Sequence, residues 1–161
     1  MTIAAGQALP DVPVRLMKDG APSVASSQEL LGSGRVVLFA VPGAFTPGCS
    51  RVHLPGFKNH AQELSDKGVD TIACISVNDV FVMDAWGDVQ GVNGQIVMIA
   101  DPDAAFAKAV GMDLDATDKG LGVRSQRYAM VIDDGVVTEV FPEADGLSVD
   151  ASTAECVLAK L

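Results

Sequence analysis

The sequence is short of cysteine, histidine and positive charge, and each shortage removes a class of function. Three cysteines, at positions 49, 74 and 156, are too few and too widely spaced for a disulfide framework or a four-ligand zinc site. Two histidines do not repair that deficit, so no metal is expected. Eleven basic residues against 21 acidic ones leave a formal charge of −10, which repels phosphate backbones and anionic lipid surfaces. Neither nucleic acid nor a membrane is therefore expected as a partner. No apolar run approaches the roughly 20 residues that cross a bilayer. The opening MTIAAGQALPDV has neither the basic nor the apolar region of an export signal, and a cytoplasmic location is expected. With 161 residues and 48% hydrophobic content, the chain is read as one domain, 1–161, around one ordinary core.

What is present is an alternation of elements. The run Val36 to Val41 is apolar throughout and stops at Pro42 and Gly43, which predicts a fully buried strand. A helical stretch follows from about Gly48 to Lys67 and ends at Gly68. Pro55 cannot donate to the carbonyl of Arg51, and Gly56 comes next, so a kink is expected there. A strand over Asp70 to Val77 leads through Asn78 and Asp79, both capping residues, into a helix reaching Trp86. The pattern repeats with a strand at Gln95 to Ile99, a helix opened by Asp101 and Pro102, and a glycine-bearing loop from Asp118 to Val123. Tyr128 to Ile132 and Val136 to Phe141, separated by Asp133, Asp134 and Gly135, read as an antiparallel hairpin. A terminal helix follows, with Ser152 and Glu155 at capping-box spacing and Ala154, Val157, Leu158 and Leu161 on one stripe. Early parallel βαβ, a late hairpin and a covering helix predict an α/β fold: a thioredoxin-like mixed sheet flanked by helices.

The segment VPGAFTPGCS joins a buried strand to a helix, at the carboxyl end of the sheet where open α/β folds carry their chemistry. Cys49 falls in the first helical turn, where unpaired N–H groups and the helix dipole favour an anion, and its thiol is expected to be largely thiolate at cellular pH. Thr46, three residues earlier, can turn its hydroxyl toward that sulfur. Pro42, Pro47 and Gly43 stiffen the loop, and the N–H groups of Gly48 and Cys49 are placed to hold an incoming oxygen. A permanent cation is missing locally. Arg127, at the start of the strand before Tyr128, is the first candidate, and Arg124 is the second. His53 lies four residues after Cys49 on the same helical face, open to proton handling and substrate contact or to plain packing. Arg51 points away from that face.

The longer stretch VPGAFTPGCSRVHLPGF resembles the peroxiredoxins. Their motif is a proline, three residues, a threonine, two residues and the peroxidatic cysteine, and Pro42, Thr46 and Cys49 stand at that spacing. The extension through Pro47, Gly48, His53, Leu54, Pro55, Gly56 and Phe57 is similar to the type II or mammalian-type 5 subfamily. The resemblance continues in CISVND from Cys74, FVMDAW from Phe81, IADPDAAF from Ile99 and KGLGVRSQRYAMVIDDG from Lys119. It implies a thioredoxin fold, often a homodimer, and an arginine opening a later strand, which Arg127 matches. It also implies a peroxidase for hydrogen peroxide and alkyl hydroperoxides, serving antioxidant defence and redox homeostasis. Cys49 attacks the peroxide, releases water or an alcohol, and becomes a sulfenic acid.

Many such relatives carry a resolving cysteine before the last helix, but the matching stretch here, GLSVDAS, holds Ser148 and Val149 and no thiol. Cys74 is the internal alternative, although the apolar run around it favours a buried hydrophobe, and Cys156 lies just off the helical stripe. An external thiol is therefore expected, with glutathione and glutaredoxin first and thioredoxin second, and no other cofactor. Residue 52 is Val, so the CxxC of a disulfide reductase is absent and insulin-type reduction is not expected. A redox sensor or holdase acting through Cys49 oxidation uses the same motif and stays open. Gly120 and Gly122 do not lead a strand into a helix, which argues against a nucleotide loop. Phe81 and Trp86 read first as core and second as dimer contacts.

Overall fold

A computed structural model describes residues 1–161. Its centre is β3 (Arg35–Val41), whose run from Val36 to Val41 is buried on both faces of the sheet. β4 (Thr71–Ser76) pairs with it in parallel, and β5 (Val97–Ala100) pairs in parallel with β4. On the other side of β3 lies the hairpin of β8 (Tyr128–Asp133) and β9 (Val136–Pro142), antiparallel to it. A hairpin of β1 (Pro13–Lys18) and β2 (Ala21–Ser26) closes the far edge through β5, giving the order β2-β1-β5-β4-β3-β8-β9. This is the mixed sheet expected.

Side chains alternate between the two faces, so each face builds its own core. Val37, Phe39 and Val41 point to one side, where they meet α2 (Leu54–Asn59), α3 (Ala61–Asp66), α4 (Val80–Gln90) and α6 (Ala154–Leu158). Val36, Leu38 and Ala40 point to the other, under α1 (Ser27–Leu31) and α5 (Ala105–Ala109). Each fully buried Leu, Ile or Phe contributes about 1.5–3 kcal/mol against exposure. The loop between α5 and β8 is partly regular, with β6 (Asp113–Ala116) and β7 (Gly122–Ser125) forming a two-stranded ribbon.

Several expectations need correction. The single helix expected from Gly48 to Lys67 is three pieces. Over Cys49–His53 the chain makes a π turn, with the Leu54 N–H donating to the carbonyl of Cys49, five residues back. Pro55 then sits in the first turn of α2, where its missing N–H costs little, so the break falls elsewhere. It lies at His60, whose φ of −103° and ψ of 9° leave the helical region between α2 and α3. The helix after Asp79 runs past Trp86 to Gln90 and stops at Gly91, whose φ of 69° ends it. The helix after Asp101 begins later, at Ala105, with the Asp101 carboxylate accepting from the N–H groups of Phe106 and Ala107. At the last helix, Thr153 and not Ser152 is the cap, because the Ser152 hydroxyl donates to Glu143 instead. Phe81 is not in the core with Trp86: it is 62% exposed.

Candidate active site

Cys49 sits where the buried β3 hands over to the π turn, at the carboxyl end of the parallel strands, and its side chain is buried. The connecting loop begins at the buried Pro42 and Gly43, and it bends through Phe45, whose φ of 65° is unusual for an aromatic residue. Asn78 steadies the bend, its Oδ1 accepting from the N–H of Ala44 at 3.0 Å.

Two side chains donate to the sulfur. Thr46 Oγ1 lies 2.9 Å from Sγ and 2.7 Å from the carbonyl of Gly43. A hydroxyl has one proton, so it donates to one of these at a time; when it turns to Sγ, the sulfur is the acceptor. Arg127 Nη2 donates to Sγ from 3.3 Å, from a side chain only 4% exposed. Its Nε donates to the carbonyl of Leu147 at 2.8 Å, and Nη1 lies 3.0 Å from Nδ1 of His53. Gly48 makes room for this, since a Cβ there would stand 3.2 Å from Nη2 and 3.7 Å from Val149. The N–H groups of Gly48 and Cys49 make no hydrogen bond within the chain, so two donors beside the sulfur remain free.

The guanidinium only donates, which fixes the histidine. Nδ1 of His53 must accept from Arg127, so Nε2 carries the proton and donates to the carbonyl of Ser152 at 2.9 Å. The ring packs between Phe39 and Phe57, with centroids 5.1 and 5.5 Å away. Burial lowers its pKa to about 4; the Ser152 carbonyl opposes the shift and Arg127 adds to it. His53 is thus neutral at neutral pH, with both nitrogens occupied and none left for a substrate. Arg124 does not reach the sulfur either: its Nε donates to the carbonyl of Leu121 at 2.8 Å and Nη1 to that of Val77 at 2.9 Å. It braces the walls of the site beside Gly43, 3.5 Å from where a Cβ on that glycine would stand.

Cys74 is wholly buried on β4, and burial pushes its thiol well up. Cys156 is half-buried and donates to the carbonyl of Asp150 at 3.4 Å. Val149 packs toward Gly48, Ser148 bonds to Asp145, and neither brings a thiol.

Two participants escape a reading along the chain, Ser152 and Glu143. Both are buried, and one Glu143 oxygen accepts from the N–H groups of Asp150, Ala151 and Ser152 at 2.9, 2.6 and 2.8 Å and from the Ser152 hydroxyl at 2.9 Å. Burial opposes ionisation of Glu143, but these donors outweigh it and hold the carboxyl below its ordinary pKa. The only trace in the sequence is an acidic residue just after a strand.

A groove of about 430 Å³, lined by Leu16, Met17, Ile96 and Met98 among others, lies at the amino end of β5, away from Cys49.

Comparison with known proteins agrees with this geometry. The chain is 43% identical to Peroxiredoxin-2B of Arabidopsis thaliana, over 99% of this chain and 98% of that protein. It is 45% identical to the chloroplastic Peroxiredoxin-2E-2 of Oryza sativa subsp. japonica, over 98% of this chain and 72% of the relative. The solved structure of reduced Prx3 from Vibrio vulnificus in complex with H2O2 superposes with a TM-score of 0.93 at 49% identity, covering 99% of each chain. With the Redoxin family matching from residue 4 to residue 158, the chain belongs to that family and is a peroxiredoxin, a thiol peroxidase on a thioredoxin fold.

Proposed function

We propose that Cys49 is the peroxidatic nucleophile, acting on hydrogen peroxide and alkyl hydroperoxides with Thr46, Pro42 and Arg127 around it, and that an external thiol restores it. The observation that carries this reading is a buried sulfur with Thr46 Oγ1 and Arg127 Nη2 both donating to it and two N–H groups free beside it. A sulfur surrounded by donors is held as a nucleophile without being hydrated. The thiolate attacks one peroxide oxygen; the S–O bond forms, the O–O bond breaks, and the leaving oxygen takes a proton as water or alcohol. Arg127 offsets the charge growing on that oxygen, and the N–H groups of Gly48 and Cys49 hold the incoming one. Thr46 moves its single proton between sulfur and peroxide. Pro42 closes the back of the loop.

The sulfenic acid is then reduced by two equivalents of thiol, which leave as a disulfide with release of water. Glutathione with glutaredoxin is the first choice and thioredoxin the second, since Cys74 is buried in the core and Ser148 and Val149 supply no thiol. No other cofactor takes part. Three free cysteines suit a reducing compartment, which supports a role in antioxidant defence in the cytoplasm. No helix is long and apolar enough to cross a membrane. Phe45, Phe81 and Val123, 51, 62 and 46% exposed, lie on three segments that the Ala44–Asn78 and Arg124–Val77 bonds tie together, which supports reading them as the contact of a homodimer.

Steady-state turnover with hydrogen peroxide and tert-butyl hydroperoxide, with each reductant in turn, tests the reading. Activity is expected with glutathione and glutaredoxin and none in Cys49→Ser. Stoichiometric oxidation without turnover under every reductant would instead mark a sensor. A dominant Cys49 to Cys74 disulfide by mass spectrometry after one equivalent of peroxide would overturn the external-thiol step.

A further inference from the structure

We propose that Glu143 is a positioning residue for the peroxidase reaction: through Ser152 and His53 it fixes the guanidinium of Arg127 on the sulfur of Cys49. The proposal rests on Cys49 being the nucleophile and adds what aims the cation at it.

Glu143 is 5% exposed and has no cationic side chain in salt-bridge range. Its charge is matched instead by three consecutive amides, those of Asp150, Ala151 and Ser152, and by the Ser152 hydroxyl. Converging amides of this kind form a nest for an anion. With its N–H and hydroxyl both held by the carboxylate, Ser152 has its carbonyl directed at Nε2 of His53, 2.9 Å away. That bond selects the Nε2–H tautomer, and only this tautomer offers Nδ1 as an acceptor to Nη1 of Arg127. In the other tautomer two N–H groups would face each other across 3.0 Å.

The same carboxylate ties residues 150–152 back to the end of β9, and the segment between them carries the other supports of Arg127. The carbonyl of Leu147 takes Nε, the carbonyl of Gly146 takes the backbone N–H of Arg127 at 2.7 Å, and Val149 packs toward Gly48. Glu143 even donates its own N–H to the carbonyl of Arg127, at 3.3 Å. Losing the carboxylate charge therefore loosens the guanidinium from two sides, although Cys49, Thr46 and Arg127 are themselves unsubstituted.

The test is a double-mutant cycle read on single-turnover oxidation of Cys49 by hydrogen peroxide. Trp86 fluorescence reports it, since Nε1 of Trp86 donates to Oγ of Ser50, the neighbour of Cys49, at 3.0 Å. Glu143→Gln is expected to slow oxidation on the order of tenfold, the scale of a misplaced catalytic group. In a His53→Asn background, where Oδ1 stands in for Nδ1 but no longer reaches Ser152, the same substitution is expected to cost clearly less than in the wild type, because only the route through residues 146–149 remains to be lost. Ser152→Ala, which keeps the carbonyl, is the milder lesion and is expected to slow oxidation less. Nitrogen-15 spectra of the imidazole provide a readout independent of rate: protonated Nε2 and bare Nδ1 in the wild type, and a mixture of tautomers in Glu143→Gln. An unchanged oxidation rate in Glu143→Gln, or the same loss in both backgrounds, would overturn the proposal. Failure of the folded wild type to oxidise at Cys49 would remove the reading beneath it instead.

Discussion

An alanine at position 48 leaves the backbone at ease, since φ is −64° and ψ −38°, yet it sets a methyl group 3.2 Å from Nη2 of Arg127. The guanidinium cannot simply step aside, because Leu147 and His53 hold its other nitrogens. Gly48→Ala is therefore expected to slow peroxide reduction about tenfold or more. Thermal stability should stay level or rise, because alanine in a helical conformation is favoured over glycine by roughly 0.5–1 kcal/mol. Stopped-flow oxidation and a thermal melt on the same sample check the two halves; loss of both together would mean a packing defect. At this scale, what could be read along the chain was what is local. Thr46 and Cys49 are three residues apart and their meeting follows from a turn. Arg127 is the first candidate for the missing cation from its place at a strand start, with Arg124 second, and the resemblance points to the same residue. The Glu143 and Ser152 supports were not legible: the bond from His53 to Ser152 spans 99 positions, and each partner taken alone reads as a surface residue or a helix cap.

Elements buried on both faces announce themselves, and those at the edge do not. β3 and β4 are continuous apolar runs, and the hairpin of β8 and β9 is flagged by its Asp-Gly turn, so these elements are legible, though the register shift between Val131 and Ile132 is not. β1 mixes Val14, Leu16 and Met17 with charged residues, β2 on the edge is mostly small residues, and β6 and β7 form a mostly exposed ribbon, so neither pair stands out as a continuous apolar run. The π turn was missed because one extra residue per turn leaves no mark in residue type. The hairpin turn offers a test that belongs to this scale. Asp134 and Gly135 have φ of 47° and 81°, both left-handed, and a Cβ on Gly135 would meet Oε1 of Gln28 and the carbonyl of Gly32 at 3.4 Å. Gly135→Ala is expected to cost about 1–2 kcal/mol in urea unfolding, from left-handed strain. Peroxidase activity should be unaffected, because the turn lies at the other end of β8 from Arg127. A wild-type unfolding midpoint would contradict this account of the turn.

For the molecule as a whole, surface and pH decide the behaviour. The charge of −10 keeps copies apart, and Phe45, Phe81 and Val123 are the exposed apolar residues at which the proposed homodimer would meet. Phe81→Asp is expected to move the sedimentation coefficient from dimer to monomer at micromolar concentration, and an unchanged value would place the contact elsewhere. Within each chain, His53 sets an acid limit. Folded, it takes up a proton only near pH 4, whereas in the unfolded chain it does so near 6.5. Unfolding is then linked to proton uptake, and stability falls as pH drops from above 6.5 toward 4. The loss between about pH 7.5 and pH 5 is roughly 2 kcal/mol. The charged groups facing His53 are Arg127 and Glu143, and Glu143, held below its ordinary pKa, gives up its own contribution only at lower pH. Urea unfolding of wild type and His53→Asn at the two pH values isolates the effect: the wild type should lose the larger amount, and the variant, having no imidazole to protonate, should lack that difference. Equal slopes in the two proteins would mean that the ring is not held neutral between Phe39, Phe57 and Arg127.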